Sequence, residues 1–162
     1  MSNSDDFIHA DERYAANFTK GDLPMPPRRK LAVVVCMDAR LDPAKFLGLE
    51  EGDAHVIRNA GGRAADAIRS LVISQQLLGT REIMVIHHTD CGMLTFTEEQ
   101  LHQKLHDELH VHAEIAFLPF TDLEQSVRDD VETLRTSPLL IPDVPVRGYV
   151  YDVHTGQLHE VN

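Results

Sequence analysis

The stretch Lys30-Leu31-Ala32-Val33-Val34-Val35-Cys36-Met37-Asp38-Ala39-Arg40 decides the fold. Leu31 to Cys36 is an almost unbroken apolar run. Such a run predicts a strand buried on both faces, as in a parallel sheet, not the alternating strand of a sheet with one wet side. A second run of the same kind, Ile83-Met84-Val85-Ile86 within Glu82 to His88, leads into His88-Thr89-Asp90-Cys91. The chain has two cysteines, Cys36 and Cys91, and each lies in one of the short motifs that follow these runs.

Working outward, strand and helix signals alternate. Asp42-Pro43 reads as an N-cap with proline in the first helical position, opening a short helix through Leu49. Ala54 to Arg58 is a short strand, broken by Asn59-Ala60-Gly61-Gly62. In the helix that follows, Ala65, Ile68, Leu71, Val72 and Leu78 recur at helical spacing, with Gly79 as C-cap. Two more helical stretches are expected, near residues 97–113 and 121–135. Arg147 to Val153 is a last strand, turning at His154-Thr155-Gly156 into a terminal hairpin with Gln157 to Val161. This order implies an α/β class with right-handed crossovers and a mainly parallel sheet flanked by helices, extended by an antiparallel C-terminal strand. Such sheets place their chemistry beyond the carboxyl ends of the strands, where Cys36 and His88 both fall.

Residues 1–29 read as a separate arm. Asp6 to Thr19 has weak helical character, with Phe7, Ile8, Tyr14, Ala15 and Phe18 as apolar contacts, and Leu23 to Pro27 is an extended linker. The arm is expected to pack on the body or on a neighbouring subunit, and residues 30–162 are expected to form the α/β domain that carries both cysteine motifs. At 162 residues and 43% apolar content the chain suits one domain with a real core. A formal net charge of -11 leaves no basic stripe for nucleic acid or for an anionic membrane surface. No apolar run approaches the roughly 20 residues of a membrane span, and the polar, acidic start carries no secretory pattern. The expected location is the cytoplasm, whose reducing conditions suit free, metal-binding thiols.

Two thiolates and one imidazole, from Cys36, Cys91 and His88, make a three-ligand zinc site that leaves a fourth position open. Either motif alone is unspecific; together they require neighbouring strands to be meaningful. On the plainer reading both cysteines are small core residues. In an extended segment, positions 36, 38 and 40 can share one side, which sets Asp38 beside the metal and Arg40 beside Asp38. Asp38 could then orient a metal-bound hydroxide, close the site as a fourth ligand, or form an ordinary loop ion pair. If it closes the site when Arg40 lets go, activity should rise with pH. A thiol redox role ranks last, for want of a Cys-x-x-Cys pair. His102, His106 and His110 share one helical face; a second metal site or proton relay is conceivable, but a solvated face is favoured. His87 should point away from His88, into packing.

These motifs, with Val56-Ile57-Arg58-Asn59-Ala60-Gly61-Gly62 and Gly92, make the chain resemble the β-class carbonic anhydrases from about Lys30 onward. Its shortness, the phrase at Cys36 to Arg40 and the closing hairpin are most similar to the compact archaeal and actinobacterial branch. The resemblance implies zinc on Cys36, His88 and Cys91, an Asp38–Arg40 catalytic dyad, and a small substrate pocket near Ala60, Gly61 and Gly62. It implies a four-stranded parallel core and a homodimer or homotetramer in which the N-terminal helix reaches over its partner. The implied reaction is the zinc-dependent interconversion of carbon dioxide and bicarbonate. Carbonyl sulfide or carbon disulfide hydrolysis on the same site, or a non-catalytic zinc domain, are the alternatives.

Overall fold

The computed structural model describes residues 2–162. Along the chain run α1 (Asn3–Ala15), β1 (Leu31–Cys36), α2 (Pro43–Leu47), β2 (Ala54–Asn59), α3 (Ile68–Leu78), β3 (Glu82–His88), α4 (Glu98–Leu109), α5 (Leu123–Thr136), β4 (Val146–Tyr151) and β5 (Leu158–Val161). The strands form one sheet in the order β2-β1-β3-β4-β5. The first four are mutually parallel and β5 closes antiparallel on β4, so the expected parallel core with its terminal hairpin is present.

The two apolar runs became interior strands, β1 and β3, paired with each other from Leu31↔Glu82 to Val35↔Ile86. They therefore run out at the same edge of the sheet. Both faces of β1 are covered. Ala32 and Val34 pack with Leu71 of α3 and with Val127, Val131 and Leu134 of α5. Val33 and Val35 pack with Leu41, Met93 and Phe120. Burying each such aliphatic side chain stabilises the fold by roughly 1.5–3 kcal/mol. The alternation continues in β3, where Ile83 and Val85 join the first layer and Ile86 the second.

Several boundaries differ from the sequence expectation, each for a local reason. The helix expected over 97–113 stops at Leu109, because His110 takes a left-handed conformation (φ 56°) and caps it. Residues 110–120 then form no helix or strand. The helix expected soon after Gly62 starts only at Ile68. Before it, the Arg63 N–H donates to Asn59 Oδ1 (2.7 Å) and the Ala64 N–H to Asp130 Oδ2 (3.0 Å), which holds the chain in a turn. The helix expected to reach Leu49 ends at Leu47, since Gly48 turns left-handed (φ 64°).

In the arm, α1 buries no residue. Tyr14 Oη of α1 donates to Glu51 (3.3 Å), and beyond the helix Lys20 pairs with the same carboxylate (2.5 Å). Further along, Arg28 and Arg29 converge on the buried carboxylate of Asp53, at 2.5 and 3.4 Å.

Candidate metal centre

Cys36 ends β1, His88 ends β3, and Cys91 follows across a tight turn. That turn takes its left-handed residue at Asp90 (φ 54°). One Cys36 sulfur, one Cys91 sulfur and one His88 ring nitrogen all lie within 4.8 Å of one another, and all three residues are buried. His88 Nδ1 lies 2.7 Å from the Thr89 carbonyl oxygen. A carbonyl can only accept, so Nδ1 carries the proton and the Nε2 lone pair is free to act as a ligand. Nε2 is buried and has no hydrogen-bond partner. An orphaned buried acceptor is costly unless something polar or cationic meets it. Two sulfurs and an imidazole nitrogen at this spacing fit a tetrahedral zinc with one position left over.

The electrostatics agree with that fit. The hydrogen bond from the Cys91 thiol lowers the Cys36 thiol well below its ordinary range, against burial, with the His88 ring adding to the effect. The Cys91 thiol is pushed up by the same contact and by burial. The pair gives up one proton readily, and a divalent cation would ionise both. For His88, burial works downward, but the neighbouring Cys36 thiolate outweighs it and the net direction is up.

Asp38 and Arg40 meet in a fork. Arg40 Nε donates to Asp38 Oδ1 (3.0 Å), Arg40 Nη2 to Oδ2 (2.8 Å), and the Arg40 backbone N–H to Oδ1 (2.9 Å). The guanidinium holds the Asp38 carboxyl well below the usual carboxylate range, outweighing the desolvation that opposes it. Asp38 Oδ2 lies 3.7 Å from His88 Nε2. Sequence spacing did not identify Arg58, which reaches across from β2. Its Nη2 donates to the carbonyls of Cys36 (3.0 Å) and Asp38 (2.8 Å), pinning the segment between them.

A pocket of about 390 Å³ opens on this cluster. Cys36, Asp38 and Cys91 line it together with Ala60 and Gly61, and Met93, Phe96, Leu101 and Phe117 supply apolar wall. Gly62, expected in the pocket, is not among its lining residues. A Cβ on Gly62 would stand 2.8 Å from the Ile86 carbonyl oxygen and 2.9 Å from the Cys36 nitrogen, so this glycine lets the strand ends close behind the site. Phe96 and Phe117 escaped the sequence reading because they lie outside any periodic element. Only the chain's return past α4 brings Phe117 to the pocket.

His87 does face away from His88, but into a polar network. Its Nδ1 lies 2.7 Å from Ser126 Oγ and its Nε2 3.1 Å from Asp130 Oδ2, while Asp130 also accepts from Arg63 Nη2 (2.9 Å). The three-histidine face is interrupted, since His110 is the cap of α4 and not part of it. His102 pairs with Glu98 (3.4 Å) and packs against Phe117, its ring centroid 5.2 Å away. Among the described residues the Cys36–His88–Cys91 cluster is the one group with metal-site geometry.

Comparison with known proteins gives a consistent set of likenesses. The family model for carbonic anhydrase matches residues 31–158. The chain is 47% identical over 162 residues to beta-carbonic anhydrase 1 of Mycobacterium tuberculosis, covering 99% of each chain. It is 37% identical over 176 residues to a carbon disulfide hydrolase of an Acidianus species, covering 93% of this chain and 85% of the other. It also superposes on the crystal structure of a carbonic anhydrase from Streptococcus mutans with a TM-score of 0.94 and 51% identity, over 100% of this chain and 99% of that one.

Proposed function

The chain belongs to the β-carbonic anhydrase family, and on that premise we propose that it is a zinc lyase interconverting carbon dioxide and bicarbonate with release of a proton. One observation carries the reading. Asp38 lines the same apolar pocket as Cys36 and Cys91, and its Oδ2 lies 3.7 Å from the unpartnered Nε2 of His88. Cys36, Cys91 and His88 would hold the zinc, their two thiolates offsetting its charge. Zinc in that donor set supplies Lewis acidity strong enough to make water a nucleophile near neutral pH.

The chain's own groups do the rest. Asp38 Oδ2 accepts a hydrogen bond from the attacking water and so aims a lone pair at the substrate carbon. Arg40 keeps that carboxylate ionised and in one orientation. Met93, Phe96, Leu101 and Phe117 exclude bulk water and receive a linear, apolar molecule. Bicarbonate is charged, gains nothing from that wall, is repelled by Asp38, and leaves. Ala60 and Gly61 bring bare backbone to the pocket. Stopped-flow hydration assays on the zinc-loaded protein test this: Asp38→Ala should lose about 100-fold or more in kcat, and equal rates would reject the role of Asp38.

A second reading, hydrolysis of carbon disulfide or carbonyl sulfide, is supported by the likeness to the Acidianus hydrolase. A headspace assay for hydrogen sulfide, run beside the hydration assay, separates the two. The forked Arg40 contact on both oxygens of Asp38 speaks against a closed, non-catalytic site with Asp38 as fourth ligand. We also read residues 1–29 as an arm that covers a partner subunit in a homodimer or homotetramer, supported by the exposure of Phe7 (71%) and Ile8 (61%) on α1. No helix among the described residues is long and apolar enough to cross a membrane; a cytoplasmic location is our reading.

A further inference from the structure

Arg40 does not serve Asp38 alone. Its Nη1 donates to Asp90 Oδ2 (2.8 Å), and its Nη2, already bonded to Asp38, also donates to the Asp90 carbonyl (2.9 Å). Asp90 belongs to the turn between two of the three metal-site donors, His88 and Cys91, and it sits there in a left-handed conformation (φ 54°). The guanidinium is thus clamped on one edge by Asp38 and on the other by the turn that carries the donors. A single carboxylate partner leaves an arginine free to pivot about its own side-chain torsions. Two partners on adjacent edges, meeting at Nη2, fix the plane of the fork, and with it the direction of the Asp38 oxygens.

We propose that Asp90 is a positioning residue for the Asp38–Arg40 pair: it locks the Arg40 guanidinium to the His88–Cys91 turn and so holds the Asp38 carboxylate in register with the metal donors. The inference rests on the reading of Asp38 as the residue that orients the nucleophile. As a stability element the contact is minor, because Asp90 is two-thirds exposed (67%) and exposed ion pairs contribute little. Its consequence is geometric. A misplacement of about 1 Å can cost on the order of 100-fold in rate.

The test uses the zinc-loaded, full-length protein. Asp90→Ala should lower kcat by about 10- to 100-fold while KM stays within about a factor of two, the pattern of a lost transition-state constraint. Zinc stoichiometry and Tm should be unchanged. Asp90→Asn keeps an acceptor oxygen for Nη1 and should recover part of the loss. Where Asp90→Ala disturbs the turn and loses zinc, Asp90→Gly decides, since glycine accepts φ 54° and removes only the carboxylate. Arg40→Lys combined with Asp90→Ala should be no slower than Arg40→Lys alone, because Asp90 acts through the guanidinium. Full kcat in a zinc-loaded Asp90→Ala or Asp90→Gly protein overturns the proposal, and so does a full additional loss in the double variant. If Asp38→Ala keeps its rate, the functional reading itself falls; if Asp38→Ala is slow and the Asp90 variants are not, only the present inference does.

Discussion

Nε2 of His88 and Oδ2 of Asp38 lie 3.7 Å apart, although they are 50 positions apart in the chain and belong to the ends of different strands. The distance is too long for a direct hydrogen bond. It is short enough that a single ligand atom placed against His88 would also be within reach of the carboxylate. Arg40 holds Asp38 in that attitude from the opposite side.

Asp38→Asn removes the charge and keeps the shape. An amide keeps one acceptor oxygen but turns the other position into a donor, so it no longer pairs with Arg40 as a carboxylate. The expected outcome is a loss of about 10- to 1,000-fold in kcat, with zinc content equal to wild type, measured by stopped-flow hydration and metal analysis on the same preparation.

The two glycines Gly62 and Gly79 should respond very differently to alanine. Both have positive φ, 65° and 80°. Around Gly79 nothing stands within 4 Å, whereas a Cβ on Gly62 meets backbone atoms of both β1 and β3 at under 3 Å. Gly79→Ala should cost about 1 kcal/mol from backbone conformation alone. Gly62→Ala should cost about 3 kcal/mol or more and spread the strand ends that carry Cys36 and His88. Urea unfolding of the two variants, with zinc content measured, checks the contrast.

Glu98 fastens the pocket wall. Its carboxylate accepts the backbone N–H groups of Phe117 (3.1 Å) and Leu118 (2.7 Å), and Leu118 is itself in the left-handed region (φ 62°). Glu98→Ala leaves those donors unmatched and frees Phe117 from the pocket. KM for carbon dioxide should rise about two- to fivefold with kcat less affected, the signature of lost uniform binding, read from a full saturation curve.

Asp53 makes a pH prediction with a definite sign. The backbone N–H of Glu50 and the Arg28 guanidinium hold its carboxyl below the usual range. A carboxylate depressed in the folded state stabilises the fold above its unfolded pKa, about 4. That stabilisation is lost as pH falls through the lower, folded value. Tm should therefore drop on acidification below about pH 4, and Asp53→Asn should show a lower Tm at neutral pH with a flatter acid limb. A wild-type slope in the variant would remove Asp53 from the account.

The arm can be tested without touching the site. Phe7→Asp with Ile8→Asp leaves every residue of the body unchanged and puts charge on the exposed apolar face of α1. Sedimentation should show a shift toward monomer. An unaltered oligomer, or a wild-type protein that is already monomeric at micromolar concentration, would discard the arm as a subunit clasp.

The sequence by itself determined the parallel core and brought out Cys36, His88 and Cys91 as the residues that cluster at its edge. Leu31 to Cys36 and Ile83 to Ile86 read as strands buried on both faces, and burial on both faces requires interior positions in a helix-covered sheet. The meeting of Cys36, Asp38, Arg40, His88 and Cys91 was legible because these residues close or directly follow those strands, at fixed local spacing. Tertiary structure alone decided what distant segments bring to them. Arg58 reaches the Cys36 and Asp38 carbonyls from a neighbouring strand, Asp90 grips Arg40 across 50 positions, and Phe117 returns from an irregular stretch to wall the pocket. No periodicity marks such residues, because their partners lie along the fold and not along the chain. The same cause moved Gly62 out of the pocket: its missing side chain is required by the distance between two strand ends, which pairing register sets and local sequence does not.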